Sequence, residues 1–191
     1  MGTYFKLAWL SCIVAGILLF RSASSGPAGG ETVSFFPRID APAGTGPYGV
    51  AMGDFNGDGV RDLVVADISS NAVSVLLGNG DGTFRAPLTF ATGTEPMSVA
   101  VADFNGDGAQ DFVVTNAGSN SVSVWLGNGD GTFRPPLTFT TGRYPASVAV
   151  ADFNRDGVPD LAVVTGGGSV SGPGRSRGGL WPSPWPRSSP P

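Results

Sequence analysis

The sequence predicts an all-β protein built from three repeated units, and three observations indicate this class. A nine-residue segment rich in Asp and Gly occurs at 54–62, 103–111 and 152–160, so its copies begin 49 residues apart. Residues 50–98 and 99–147 are identical at 33 of 49 positions. Short runs of Val, Phe, Leu and Ala alternate with glycine-rich turns, which is typical of many short strands. Such units bury their apolar faces only by packing on one another.

Each unit is predicted to contain four strands. In the second unit, residues 99–102 enter the Asp/Gly segment and residues 112–115 leave it, so the segment forms a hairpin loop. Residues 121–126 alternate apolar with Ser or Trp, as a third strand does. The turn at 127–131 has Asn-Gly and Asp-Gly steps, which accept positive φ, and the fourth strand follows at 133–140. Four strands in about 50 residues are typical of a β-propeller blade. The prediction is a partial propeller of about three four-stranded blades, open or fragmentary.

Each Asp/Gly segment has the residue types of a loop that binds a hard cation. Oxygen-bearing side chains occupy positions 1, 3, 5 and 9, and the Gly at position 6 permits a sharp turn. Calcium takes about six to eight oxygen ligands, and the carbonyl at position 7 can supply another one. Three carboxylates in one loop repel each other unless a cation is present. A solvated turn is the alternative, which three copies at one spacing disfavour.

The acidic residues are concentrated in these loops. The net charge is −4, and nine of the 15 acidic residues are the Asp of the three loops. No basic cluster occurs in the repeats, which argues against a nucleic-acid partner. Cys12 is the single cysteine, so an intrachain disulfide is excluded. The chain has no histidine and no nucleophile beside a plausible base, so we do not expect an enzyme. A pair of carboxylates could still act as acid and base. The Asp residues outside the loops are Asp40, Asp67, Asp81 and Asp130.

The two ends of the chain differ from the repeats in composition. Residues 1–25 predict a helical signal peptide, because an apolar run at 7–20 follows Lys6 and is too short for a typical membrane span. Cleavage is expected near Ser24 or Ser25, and an uncleaved anchor is the alternative. Export would place the protein outside the cytoplasm, secreted or at the cell surface. Residues 26–34 are interpreted as a linker and 35–166 as the repeats. Residues 167–191 predict a disordered tail without the third and fourth strands of the last unit.

Three further positions are interpreted by their place in the unit. Phe55, Phe104 and Phe153 stand at position 2 of the loops, where the side chain points away from the ion, so each is predicted to pack against a neighbouring unit. Trp125 replaces Leu76, and a core or inter-unit contact is favoured over an exposed platform for a ligand. The second Asp/Gly turns, at 79–82 and 128–131, carry one carboxylate each and predict plain hairpin turns.

The sequence resembles the FG-GAP family, also described as VCBS or integrin-alpha-type repeats. The resemblance is carried by the three loops and by Leu-Gly-Asn-Gly-Asp-Gly-Thr-Phe at 77–84 and 126–133, and it covers residues 35–164. It implies a β-propeller with a calcium loop between the first two strands of each blade, and about three Ca²⁺ per chain. The implied ligands, with backbone carbonyls at position 7, are Asp54, Asn56, Asp58, Val60 and Asp62; Asp103, Asn105, Asp107, Ala109 and Asp111; and Asp152, Asn154, Asp156, Val158 and Asp160.

The expected function is that of an exported, non-catalytic calcium-binding module for adhesion, ligand recognition or scaffolding, in which the metal stabilises the blade hairpins. Two alternatives remain at this point: a truncated gene remnant of a longer propeller protein, without independent activity, or the accessory domain of a secreted carbohydrate-active enzyme. The expected partner is an extracellular protein or polysaccharide, with no nucleic acid and no membrane beyond the signal segment. Propellers close with about four to eight blades, so three units also suggest self-association through open sheet edges.

Overall fold

The computed structural model describes residues 17–19, 39–167 and 169–171. Every regular element in these residues is a β-strand, which confirms the predicted all-β class. The strands are β1 Ile17–Leu19, β2 Ile39–Ala41, β3 Pro47–Gly53, β4 Asp62–Asp67, β5 Ala72–Leu76, β6 Leu88–Ala91, β7 Pro96–Ala102, β8 Asp111–Asn116, β9 Ser121–Trp125, β10 Leu137–Thr140, β11 Pro145–Ala151, β12 Asp160–Thr165 and β13 Ser169–Ser171. The described residues contain no helix long and apolar enough to cross a membrane.

Strands β3 to β13 form three repeated antiparallel sheets, which we call blades 1, 2 and 3, and β1 and β2 form a separate two-stranded sheet. Blade 1 has the order β3-β4-β5-β6, blade 2 has β7-β8-β9-β10, and blade 3 has β11-β12-β13. The four strands predicted for the second unit are therefore confirmed. The fourth begins later than expected, at Leu137, because Phe133 instead forms an isolated bridge with Gly127 across the second turn.

Blade 3 contains a third strand that the sequence was not expected to supply. Ser169–Ser171 pairs antiparallel with β12, and Ser169 lies opposite Thr165. In blade 2, Ser121 lies opposite Asn116 in the same way. The prediction that the last unit lacks a third strand was therefore wrong. The tripeptide Ser-Val-Ser occurs both at 121–123 and at 169–171, so residues 169–171 can pair with the second strand of blade 3 as residues 121–123 pair with that of blade 2. The rest of the predicted disordered tail, 172–191, lies outside the described residues.

The N-terminal segment differs from the predicted helix in its described residues. Ile17–Leu19 is strand β1, which pairs antiparallel with β2. The open edge of β2 presents backbone N–H and C=O groups that a helix would not satisfy, and an apolar segment with a β-branched residue can pair with them. The other residues of the predicted signal, and the linker at 26–34, lie outside the described residues.

The blades are held together by apolar clusters that lie between neighbouring sheets. Between blades 1 and 2, Phe55 packs edge-to-face on Phe112 and Phe133 of the next blade. Trp125 stacks on Phe112 of its own blade and contacts Phe90 of blade 1. Trp125 is therefore a buried inter-blade residue, as the sequence predicts.

Between blades 2 and 3 the same arrangement recurs. Phe104 is buried in one cluster with Val148 and Val163 of blade 3. The predicted inter-unit packing is thus confirmed for Phe55 and Phe104. Phe153 has no further blade to pack on among the described residues, and its side chain is exposed.

Asp67, at the end of β4, is a buried carboxyl group outside the loops. Its Oδ2 accepts a hydrogen bond from Ser74 Oγ at 2.6 Å, and its Oδ1 has no donor among the described residues. Burial raises the pKa of Asp67, and the hydrogen bond from Ser74 opposes that shift. Blade 2 carries Asn116 at this position, and its amide donates to Ser123 Oγ at 2.9 Å.

We expect Asp67→Asn to raise the free energy of unfolding by about 1 kcal/mol at pH 7, because it removes a buried carboxylate oxygen that has no donor. The folded-state pKa lies above the ordinary value of 3.8, so the folded chain binds more protons between these two values. The stability contributed by Asp67 is present below pH 3.8 and is lost as the pH rises through the folded pKa. The gain from the substitution should therefore shrink in acid.

Urea denaturation in EDTA at pH 7 and at acid pH would measure this difference. The matched control is Asp81→Asn, because hydrogen bonds from Thr83 lower the pKa of Asp81, which is the opposite shift. That control should not stabilise the protein at pH 7. An Asp67→Asn effect that is equal at both pH values would contradict the titration argument.

Candidate metal-binding loops

The three Asp/Gly loops lie at equivalent places in the three blades. Each connects the first strand of a blade to the second, at 54–61, 103–110 and 152–159. The loop of blade 1 also contacts the second turn of blade 2, since Gly131 N–H donates to Phe55 O at 2.9 Å. The loops and the second turns therefore lie along one side of the stack, running from blade to blade.

Side-chain oxygens at positions 1, 3 and 5 face the backbone of their own loop. In blade 1, Asp54 Oδ2 accepts from Gly59 N–H at 2.9 Å, Asn56 Oδ1 accepts from Asp58 N–H at 3.1 Å, and Asp58 Oδ1 accepts from Val60 N–H at 2.8 Å. Gly59, at position 6, has φ of 80°, a conformation that disfavours a Cβ. The structure thus brings these three predicted ligand residues around one tight turn.

The loops of blades 2 and 3 repeat this pattern. The carboxylate at position 1 accepts from the Gly at position 6 at 2.9 Å in both loops, from Gly108 to Asp103 and from Gly157 to Asp152. These two glycines have φ of 86° and 84°. The amide oxygens at position 3 and the carboxylates at position 5 accept as in blade 1; the residues are Asn105 and Asp107 in blade 2, and Asn154 and Asp156 in blade 3.

The carboxylate at position 9 has a different place, which the sequence reasoning missed. Asp111 is fully buried, with Oδ2 accepting from Phe104 N–H and Oδ1 from Gly127 N–H, both at 2.8 Å. It therefore ties the start of its loop to the second turn of the same blade. A Cβ on Gly127 would lie 2.3 Å from the carbonyl oxygen of Gln110, so only glycine fits here.

Blade 1 repeats this anchor, and blade 3 shows part of it. Asp62 accepts from Phe55 N–H and Gly78 N–H at 2.8 Å. Asp160 Oδ2 accepts from Phe153 N–H at 3.0 Å. The signal in the sequence is the constant spacing of 16 residues from the Asp to the Gly, as the bonds to Gly78 and Gly127 show.

The loops concentrate negative charge, which among the described residues Arg134 approaches. Burial raises the pKa of Asp111 to about 6; the bonds from Gly127 and Phe104 oppose this, and the charges of Asp107 and Asp103 add to it. Arg134 Nη2 lies 3.6 Å from Asp107 Oδ2, and both side chains are partly exposed. Such a surface pair contributes little.

One loop oxygen is buried without a hydrogen-bond donor. Asp54 Oδ1 has no partner among the described residues, whereas Asp54 Oδ2 accepts from Gly59. A buried carboxylate oxygen without a donor is costly unless a cation lies beside it. The donor set is made of oxygens alone, which is the chemistry that calcium prefers. The residues present therefore fit a hard cation.

The loop side chains also contact each other in ways that a bound cation would compete with. The Asn56 amide donates to Asp58 Oδ2 at 2.8 Å, and Asn105 donates to Asp107 in the same way. Within residues 39–167, no group of three or more acidic, His or Cys side chains is gathered as a ready metal site. Coordination by positions 1, 3, 5, 7 and 9 thus stays a prediction.

The second turns form hairpins, as predicted. In the turn of blade 1, Asn79 N–H donates to Thr83 O at 3.0 Å, and Asp81 Oδ1 accepts from Thr83 N–H at 2.8 Å and from Thr83 Oγ1 at 2.6 Å. The turn of blade 2 has the same bonds around Asp130 and Thr132. The carboxylates of Asp81 and Asp130 are thus used within their own turns, where the Thr hydroxyls lower their pKa values.

A comparison with protein-family models identifies the repeat. The family model for the FG-GAP-like repeat matches residues 54–114 and 103–163, which together span more than half of the chain. No curated protein matches the chain. Among solved structures, the chain is similar to the Tc holotoxin pore of Photorhabdus luminescens, with 21% identity and a TM-score of 0.47. That alignment covers 82% of this chain and 8% of the toxin chain, so this chain spans a small part of that protein. The two adjacent repeat matches establish that the chain belongs to the FG-GAP-like repeat family.

Proposed function

We propose that the chain is an exported calcium-binding repeat module that acts in adhesion, ligand recognition or scaffolding rather than in catalysis. The observation that carries the proposal is the buried Asp54 Oδ1, which has no donor although it lies in a loop crowded with carboxylates. Two further loops with the same residues at positions 1, 3, 5, 6 and 9 occupy the same place in their blades. About three Ca²⁺ per chain would then bind along one side of the stack, one in each blade.

The side chains at positions 1, 3, 5 and 9 and the carbonyl at position 7 would hold the ion in each loop. A bound Ca²⁺ would supply positive charge to carboxylates that otherwise repel each other. The chain itself supplies the glycine turn at position 6 and the anchor at position 9. In blades 1 and 2, Asp62 and Asp111 fix the loop to the second turn of the same blade. Each carboxylate accepts one backbone N–H from the loop and one from the turn. Calcium would thus stabilise hairpins that are already fixed at their base.

Two features support a binding role outside the cytoplasm. The chain has no histidine, and the carboxylates of its loops are committed to the proposed sites, so acid–base chemistry has few candidates. The apolar run at 7–20 has the length of a signal segment, and the millimolar calcium outside cells suits loops of modest affinity. The proposed partner is an extracellular protein or polysaccharide, with no nucleic acid.

Calcium titration of the full chain by calorimetry should give close to three ions per chain. A thermal melt should show a higher Tm with Ca²⁺ than with EDTA, because a ligand that binds only the folded state stabilises it by about 2.7 kcal/mol per site at a concentration 100 times Kd. Asp107→Ala should remove one ion from the count. Asp130→Ala is the matched control, since Asp130 is an exposed Asp of a second turn, and it should leave the count unchanged.

A chain with native β circular dichroism that neither takes up calcium nor changes its Tm would refute the proposal. Equal losses of bound calcium in the Asp107 and Asp130 variants would refute the assignment of the loop.

A further inference from the structure

Large apolar side chains are exposed at both ends of the stack of blades. On β3 of blade 1, Tyr48, Val50 and Met52 are 63%, 54% and 67% exposed, and we call them the head face. On blade 3, Phe153 and Val164 are 57% and 46% exposed, and we call them the tail face. Exposed apolar patches of this kind mark interaction surfaces in soluble proteins.

The interfaces between blades 1 and 2 and between blades 2 and 3 indicate which surfaces the head face and the tail face can pack against. Val99 and Val148 occupy the place of Val50 in blades 2 and 3, and both are buried against the preceding blade. Phe55 and Phe104 occupy the place of Phe153 in blades 1 and 2, and both are buried against the following blade. Each internal interface thus joins a Phe from one blade to a Val from the next. The tail face and the head face are the two halves of one more such interface.

Alternate residues of the second strand of each blade also face the preceding blade and the following blade. In blade 1, Val64 and Ala66 pack toward blade 2, whereas Leu63 and Val65 pack in a cluster on the opposite side. Val164 occupies the place of Ala66 in blade 3, so it faces away from blade 2. Its exposure is therefore a property of the end of the stack and not of an irregular strand.

Strand β2 lies where the fourth strand of a preceding blade would lie. Ala41 of β2 is buried with Leu76 of blade 1. One repeat later, Phe90 of β6 packs on Trp125 of blade 2 in the equivalent contact. β2 is therefore a fourth strand that precedes blade 1, while blade 3 has strands in the first, second and third places among the described residues.

We propose that a second copy of this chain docks head-to-tail, with the tail face of one copy on the head face of the other. In this contact, β13 of one copy would pair with β2 of the other and complete a four-stranded blade, in place of β1. The contact is heterologous, so it closes a ring if its rotation fits. Two copies supply six blades, within the range of about four to eight in which propellers close. The expected species is a dimer with two identical head-to-tail contacts.

Sedimentation velocity of the full chain in calcium buffer tests this contact. The wild-type chain should be a dimer, and Val50→Glu or Val164→Glu should each weaken the dimer about tenfold or more, because each buries a charge in an apolar contact. Leu137→Glu is the control, because Leu137 is an exposed residue of β10 that lies on neither face, and this variant should remain dimeric. Circular dichroism of every variant separates a lost contact from a lost fold.

A mixing experiment decides between a head-to-tail contact and a symmetric one. The Val50→Glu chain keeps an intact tail face, and the Val164→Glu chain keeps an intact head face. An equimolar mixture should therefore form a one-to-one dimer through one repaired contact, at a concentration where each variant alone is monomeric. A wild-type chain that is monomeric at all concentrations would overturn the proposal, as would variants that stay dimeric or a mixture that stays monomeric. If the folded, dimeric wild-type chain did not bind calcium, that result would instead count against the proposed function alone.

Discussion

Phe104→Ala is expected to lower the free energy of unfolding by about 3–5 kcal/mol. Phe104 is 1% exposed and packs in the cluster between blades 2 and 3, with Val148 and Val163 on the far side. The substitution removes a large apolar side chain and leaves a cavity that two β-sheets cannot easily close. Because a blade buries its faces only against its neighbours, the loss should uncouple blade 3 from the rest of the stack.

The repeat supplies a matched control for this prediction. Phe153 stands at the same loop position but is 57% exposed, so Phe153→Ala should change the stability by less than about 0.5 kcal/mol. Urea denaturation at one calcium concentration would compare the two, at a dilution where the chain is monomeric. If the Phe104→Ala chain does not fold, Phe104→Leu would give a smaller loss of the same sign. Similar losses at positions 104 and 153 would contradict the assignment of the interface.

The sequence was sufficient to predict the features that repeat. Alternation of Val and Ser at 121–125 predicted β9, and the position of Phe104 in its loop predicted an inter-blade contact. Both inferences need only the period of a strand and the geometry of a tight loop. They do not depend on how the blades are placed relative to each other.

The sequence was not sufficient where two distant segments meet. The bond from Gly127 N–H to Asp111 joins two turns of one blade, and no local pattern shows that the same carboxylate faces both. The pairing of Ile17–Leu19 with β2 likewise joins two segments that are distant in the sequence, in a separate two-stranded sheet. Such contacts are set by the tertiary arrangement.

The two internal interfaces also differ in a way that the identity of the repeats conceals. A Cβ on Gly49 would lie 2.3 Å from the carbonyl oxygen of Met97, so the backbones of blades 1 and 2 approach closely. At the equivalent place in blade 2, Ser98 Oγ accepts a hydrogen bond from Val148 N–H at 3.3 Å. Gly49 in blade 1 and Ser98 in blade 2 therefore correspond to a shorter distance between the backbones of blades 1 and 2 than between those of blades 2 and 3.

Asp111→Ala is expected to destabilise the protein by about 3 kcal/mol even without calcium. The substitution leaves the N–H groups of Phe104 and Gly127 without their acceptor, and each buried donor left unpaired costs about 1–3 kcal/mol. Burial raises the pKa of Asp111 to about 6, so removing a desolvated carboxylate offsets part of this loss. Asp111→Asn keeps one acceptor oxygen and should therefore lose about half as much.

Comparison with Asp107→Ala separates the anchor from the proposed metal ligands. Asp107 lies in the same loop, but it is partly exposed and its Oδ1 accepts only from Ala109 N–H. In EDTA, Asp107→Ala should change the stability little, whereas in calcium it should lose the stabilisation that one ion provides. Asp111→Ala should be destabilised in both conditions. Chemical denaturation of both variants with calcium and with EDTA measures the difference. If Asp111→Ala were as stable as the wild-type chain in EDTA, position 9 would act only on the metal, and the two backbone bonds would contribute nothing measurable.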